Sequence, residues 1–400
     1  MPSSQPPLRG VRVVEIGNFM AVPFCGMQLA DLGADVIKVE NPSGGDLSRA
    51  TGPFIDGESS NFARLNRNKR SVALDLKTPE GKELFRRLAA HADVVIENLR
   101  PGTMRGLGLG YEALSAASPG LIYLAATGFG GDGPYAQLAG LDIIAQAMSG
   151  LMSITGEPGA PPVKVGVPIA DLACALYGTI AVLAALRARE RDGAGQFIDV
   201  SLLESAVSLG VWEAGRYFAT GEIPQPSGSA HQAIAPYQAV RSADGWFTFG
   251  VTSQQHWTRA CAIFGLEALA TDPRFLSNEL RLTHRTALID AIEAATSLQP
   301  SEHWTERLNA AGIPAGPIQT FDRVFNDAHL AERAFFVDAP HRTLGAVRQI
   351  GSPMRFARTP ILIERAGPLL GGDTAEVLRE IGVAEDELER LAVDGVAVMA

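Results

Sequence analysis

Asp171 is the residue whose type and setting point most directly to chemistry. It closes the stretch Val165-Gly-Val-Pro-Ile-Ala-Asp171, ahead of an apolar run from Leu172 to Leu186 that ends on Arg187, Arg189 and Arg191. A proline, an acid and then a long apolar segment form a helix-start signature, and the cations suit the negative end of the dipole. The pattern predicts a buried helix with Asp171 at its N-cap, where free backbone N–H groups stabilise a carboxylate and keep it ionised. Capping alone accounts for an aspartate in this place, so a chemical role needs further residues.

Three other groups of residues carry chemical potential. Asn61-Phe-Ala-Arg-Leu-Asn-Arg-Asn-Lys-Arg70 holds four cations, which suits either a solvated loop or a phosphate-binding rim. Glu97-Asn-Leu-Arg-Pro-Gly102 follows a strand, and ligands of open α/β sheets bind at the carboxyl ends of strands. Asp142 and Gln146 stand one helical turn apart, so they share a face and either line a pocket or form a buried hydrogen bond.

The elements that must position these residues follow an alternating pattern. Strands at 11–16, 35–40, 71–76, 93–97, 121–125 and 196–200 alternate with helices at 23–32, 79–91, 111–117, 141–152 and 172–186. This implies an α/β fold with a mostly parallel, Rossmann-like sheet. A helix at 201–218 follows the last of these strands. The first turn, Gly17-Asn-Phe-Met-Ala-Val22, lacks the second glycine that lets backbone approach a dinucleotide pyrophosphate, although Glu40 would suit a ribose contact. Gly106-Leu-Gly-Leu-Gly110 lies between helices and reads as a turn.

From 222 to 236 the chain is rich in Pro, Gly and Ser, which suggests a domain crossing. Beyond it, Ser242-Ala-Asp-Gly245 joins two strands of a smaller α+β domain with helices near 256–264, 285–295 and 301–311. The resulting organisation is 1–221 for the first part of a large domain, 222–330 for the small domain and 331–400 for a return to the large one. Helices near 374–381 and 385–392 end the chain.

Composition narrows the function classes. The 400 residues are 46% hydrophobic and 20% charged, as in soluble globular proteins, with a net charge of −10 that argues against a general nucleic-acid binder. Cys25, Cys174 and Cys261 are isolated, so neither a disulfide framework nor a structural zinc site is indicated. The opening Met-Pro-Ser-Ser-Gln-Pro-Pro shows no export signal and no membrane span is expected, which points to the cytoplasm.

An ordered set of segments resembles the family III coenzyme A transferases, the CaiB/BaiF family. They are Ala30-Asp-Leu-Gly-Ala-Asp-Val-Ile-Lys-Val-Glu40, the stretch from Asn68 to Gly81, Asn98-Leu-Arg-Pro-Gly102, Gly128-Phe-Gly, the stretch from Gln146 to Glu157, Val165 to Asp171, and Gly195 to Glu204. The resemblance implies a Rossmann-like large domain built from both chain ends, a smaller α+β middle domain and an interlocked homodimer. It makes Asp171 the nucleophile of a CoA transfer from an acyl-CoA to a small organic acid, with no ATP, metal or tightly bound cofactor.

By position in the family pattern, CoA contacts are expected from Leu74, Asn98, Leu99, Arg100 and Arg105, with Asn18 and Ala21 at the first turn. Backbone N–H groups of that turn and of the loop near Gly228 are candidates for the oxyanion. Many relatives carry an arginine where this chain has Gly106, and the formyl-CoA:oxalate type carries a basic residue where Asn41 stands; Lys38, Lys69 or Arg70 would compensate. That same type has glutamine at Met20 and tyrosine at Leu141, so a less compact acid is expected in a pocket of Met20, Leu141, Asp142 and Gln146. Arg64, Arg67 or His231 would hold a distal carboxylate, favouring a short dicarboxylate with succinyl-CoA as donor.

Two rivals stand beside this reading. An α-methylacyl-CoA racemase resembles the same family, but it places a histidine in the segment matching Gly140-Leu-Asp142, and leucine cannot carry a proton. A catalytically silent CoA-binding protein would not need Asp171.

Overall fold

The computed structural model describes residues 5–400, so the reading of the opening residues as free of an export signal rests partly on 1–4, which lie outside the described residues. The chain divides into two compact units, Met1–Leu151 with Lys164–Thr220 and Ala328–Ala400, and Met152–Val163 with Gly221–Asp327. The short segment Met152–Val163, grouped with the large domain on composition, goes with the second unit.

Six strands form the heart of the first unit: β1 (Arg12–Ile16), β2 (Asp35–Glu40), β3 (Arg70–Leu74), β4 (Val94–Glu97), β5 (Ile122–Thr127) and β6 (Phe197–Ser201). Every residue of β3, β4 and β5 is buried, as expected for parallel strands covered on both faces. The sheet order is β3-β2-β1-β4-β5-β6, and the chain's last strand, Ala397–Val398, pairs antiparallel with the outer side of β3. The order reverses between β1 and β4, so the connections leaving their carboxyl ends diverge and open a crevice.

On one face, the helix Pro79–Ala90 buries Leu84, Phe85 and Leu88 against Leu378, Leu388 and Leu391 of the helices that end the chain. The C-terminal segment thereby completes the core begun by the N-terminal one. The other face carries α1 (Ala21–Asp31), α2 (Asp142–Met148) and α3 (Ile169–Asp192), joined through Val22, Cys25, Ala145, Cys174 and Val182. Gly178 permits the close approach of α3, since a Cβ there would meet Leu124 at 2.9 Å.

Three details depart from the sequence reading. α3 is long and apolar enough to cross a membrane by length and composition, yet it packs on β5 and α1, and Leu176, Tyr177 and Ile180 remain exposed instead of buried. The helix expected over 201–218 breaks at Gly210 into Leu202–Leu209 and Val211–Thr220. A hairpin of Phe336–His341 with Gly345–Ile350 has no clear alternation in sequence.

The second unit contains the expected hairpin, Tyr237–Ser242 with Gly245–Gly250, and a third strand, Ala315–Pro317. Phe247, Phe249, Trp257, Phe264 and Trp304 form its core, an aromatic cluster large enough for a unit of this size.

Candidate active site

Asp171 does not cap its helix. α3 starts at Ile169 with Pro168 in the N-cap position, three residues earlier than the apolar run indicates, which places Asp171 within the first turn. The free N–H groups of that turn are taken by another carboxylate. Asp142 Oδ1 accepts from Ala170 N at 2.9 Å and lies 3.5 Å from Asp171 N. The expectation that the helix terminus keeps Asp171 ionised is therefore corrected. Burial, followed by the nearby charge of Asp142, pushes the Asp171 carboxyl up to about 7. Among the described residues, none donates a hydrogen bond to its side chain. A partly buried carboxylate with no donor on it is a higher-energy, more reactive nucleophile when it does ionise.

Asp142 is placed by glycine contacts and by Gln146. A Cβ on Gly140 would lie 2.4 Å from Gly128 Cα, so two glycines allow the backbone crossing just before α2 begins. Gln146 Nε2 donates to Asp142 Oδ2 at 2.6 Å, and Gln146 Oε1 accepts from Val165 N at 2.9 Å. Gln146 is fully buried, so it does not line a substrate pocket as expected; it positions Asp142 and the approach to α3. Leu141, by contrast, is exposed immediately before α2. Gln146→Ala strands the partly buried Val165 N–H and one Asp142 oxygen and empties a buried site, so a loss of about 1–3 kcal/mol in stability is expected. Chemical denaturation of the variant tests this, and wild-type stability would return Gln146 to the pocket.

The other candidates gather at the carboxyl ends of the strands. A cleft of about 340 Å³ is lined by Asn18 after β1, Leu74 and Lys77 at and after β3, and Leu99 and Thr103 after β4. Asn18, Leu74 and Leu99 are thus brought together at the sheet's switch point. Lys77 is the cation that sequence reasoning passed over, although it directly follows the Leu74 segment. Arg100 is exposed next to Leu99. Asn98 contributes differently, because its amide is used on protein: Oδ1 accepts from Asn18 N and Nδ2 donates to Asn18 O, both at 2.9 Å.

Three of the four cations between 61 and 70 are spent on internal ion pairs and not on a phosphate rim. Lys69 is fully buried, with Nζ donating to Glu15, Pro23 O and Asn66, which corrects its assignment to CoA. Arg67 is spent on Asp31 and on Ile350 O, Arg70 on Asp35 and Glu380, and Lys38 on Glu15 and Asp46. Arg64 is half-buried and donates to Ser60. In the second unit, His231 stacks on Tyr237, and its Nδ1 accepts from Ala233 N.

Arg105 lies away from the first cleft. It pairs with Glu112 at 3.1 Å and lines a separate cleft of about 450 Å³ with Glu97, Tyr123, Phe197 and Asp199. Burial pushes the Glu97 carboxyl up to about 7. Gly228, in the second unit, donates its N–H to Gly156 O at 2.8 Å, so that group is not free for an oxyanion.

The start of α1 retains unpaired backbone donors among the described residues. Asn18 N and Phe19 N are engaged by Asn98 and Asp46, whereas the N–H groups of Met20 and Ala21, at the start of α1, have no acceptor. No group of His, Cys, Asp and Glu among the described residues is arranged to hold a metal.

The profile of CoA-transferase family III matches residues 8–374. A succinate–glutarate CoA-transferase of Agrobacterium fabrum is 41% identical over 392 residues, 96% of this chain and 98% of that protein. A succinyl-CoA:glutarate CoA-transferase of Mus musculus is 38% identical over 98% of this chain and 91% of its own length. The crystal structure of a CaiB/BaiF family protein from Brucella suis superimposes with a TM-score of 0.87 at 39% identity, covering 94% of this chain and 100% of that one. The chain belongs to CoA-transferase family III.

Proposed function

We propose that this protein moves CoA from succinyl-CoA to a short dicarboxylic acid, with Asp171 as the covalent carrier. The observation that carries the reading is the partly buried carboxyl of Asp171 in the first turn of α3, beside Asp142 and without a hydrogen-bond donor among the described residues. The named activities of the relatives from Agrobacterium fabrum and Mus musculus support the donor and the dicarboxylate class.

The chemistry proceeds by exchange. The Asp171 carboxylate attacks the thioester carbonyl, the C–S bond breaks, and a mixed anhydride and CoA thiolate result. The thiolate attacks the aspartyl carbonyl, releasing succinate and leaving Asp171 as the CoA thioester. The acceptor carboxylate attacks this thioester to give a second anhydride and thiolate, and thiolate attack on the acceptor acyl carbon restores Asp171. Each step places negative charge on a tetrahedral oxygen, for which the N–H groups of Met20 and Ala21 are the available donors in the first turn. CoA is a substrate throughout, and the Asn18, Leu74 and Leu99 cleft is its proposed site.

A homodimer is part of this proposal. Leu176, Tyr177 and Ile180 of α3, with Val207, Val211, Trp212 and Phe218 of the following helices, are large apolar side chains left exposed. A second copy would cover them, in the interlocked form that the family resemblance implies. The three buried, free cysteines suit a cytoplasmic enzyme.

The test is to mix the enzyme with a panel of acyl-CoA donors, quench with hydroxylamine or borohydride and map the modified peptide by mass spectrometry. A donor-dependent change at Asp171, fastest with succinyl-CoA, is expected. No adduct with any donor, together with α-proton exchange into a branched acyl-CoA, would replace transfer with racemisation.

A further inference from the structure

The turn between β1 and α1 is tied down from beneath by groups that no step above uses. Lys38 Nζ donates to Gly17 O at 2.8 Å, and Asp46 Oδ1 accepts from Phe19 N at 3.1 Å. Lys38 and Asp46 are themselves paired at 2.8 Å, and Lys38 also holds Glu15 at 2.8 Å; all three side chains have no exposed surface. Between these two ties, Asn98 grips both backbone groups of Asn18. Phe19 sits at a φ of 60°, the left-handed region that a non-glycine residue adopts only when its surroundings compel it.

Buried ion pairs contribute little net stability compared with apolar packing. What an apolar side chain in place of Lys38 or Asp46 could not do is hold a carbonyl and an N–H of this turn in one orientation. The ties fall on Gly17 and Phe19 and stop short of Met20 and Ala21, whose N–H groups they leave unengaged.

We propose that the buried Lys38–Asp46 pair is a positioning device for the acyl-transfer step, fixing the Gly17–Phe19 backbone so that the Met20 and Ala21 N–H groups are preset for the thioester oxygen. The inference rests on the reading of Asp171 as carrier. Lys38 and Asp46 act through the backbone and touch no reacting atom.

Asp46→Asn loses the charge but keeps an acceptor for Phe19 N–H, whereas Asp46→Ala loses both. With succinyl-CoA in single turnover, labelling of Asp171 is expected to slow about 10- to 100-fold in Asp46→Ala and to stay within about threefold of wild type in Asp46→Asn. The two variants should lose similar thermal stability, and KM for succinyl-CoA should move less than the labelling rate. Hydrogen exchange at the Phe19 amide should quicken only in Asp46→Ala. Ser48 Oγ also donates to Asp46 Oδ1, at 2.7 Å, so Ser48→Ala controls for that loss and should label normally.

Equal labelling rates in the two Asp46 variants, or rates that simply follow stability, would overturn the proposal. If Asp46→Ala does not fold, Lys38→Met serves in its place: it frees the Gly17 carbonyl, and an unchanged labelling rate would likewise overturn the proposal. Failure of the wild type to label at Asp171 with any acyl-CoA would instead remove the carrier reading itself.

Discussion

Asp171→Ala is expected to abolish CoA transfer, with a fall on the order of 10⁴-fold or more, because removing a nucleophile closes the covalent route altogether. CoA itself should still bind, since the Asn18, Leu74 and Leu99 cleft is built from other elements. Steady-state kinetics and equilibrium binding of CoA check the two halves separately, and retained turnover would sink the mechanism.

The same residue makes a prediction about pH. An Asp171 carboxyl near 7 must lose its proton before it attacks, so in wild type the acylation rate should fall about tenfold per pH unit below 7. The effect on stability has a definite sign. The folded-state value lies above the ordinary 3.8, so the unfolded chain releases the proton first as pH rises. Wild type therefore loses stability progressively between about pH 4 and pH 7. Asp171→Asn, which cannot ionise, should match wild type at pH 4 and exceed it by about 2 kcal/mol or more at pH 8. Denaturation at the two pH values measures the difference, and a variant less stable than wild type at pH 8 would contradict the desolvated setting.

Lys69→Met is expected to damage the fold and to leave CoA recognition alone. Lys69 and Lys38 balance Glu15 and Asp46 in a space with no exposed surface, and burial already lowers Lys69 to about 8. Removing one cation leaves a buried charge uncompensated, which costs about 3–5 kcal/mol and should lower the unfolding midpoint by on the order of 10 °C. The KM for acyl-CoA of the folded fraction should stay within about twofold, because Lys69 has no path to a phosphate. A normal midpoint with a KM raised tenfold would restore the phosphate reading.

The fold was largely legible because its signals are local. Strands such as β1, β2 and β5 are short apolar runs bounded by turns, and the alternation with helices leaves few topologies for a parallel sheet. Gly210 broke a helix that periodicity alone would carry through, and the hairpin from Phe336 to Ile350 escaped because half of its residues face solvent. The ordered motifs carried the family resemblance, and with it Asp171 and the Leu74 and Leu99 segments.

What the linear chain determined by itself was which residues exist at chemically suggestive places; their roles depended on partners far away along it. Four cations within ten residues read as a rim, yet Arg67, Lys69 and Arg70 meet acids from β1, α1, β2 and a C-terminal helix, and pairing inside the core removes them from ligands. Asp171 stood before an apolar run and read as a cap, but Asp142, 29 residues earlier, occupies the helix N–H groups first. Burial and the charge of that neighbour then raise the carboxyl of Asp171 instead of lowering it. Electrostatic role follows from three-dimensional neighbours and loss of water, and only the tertiary structure decides both.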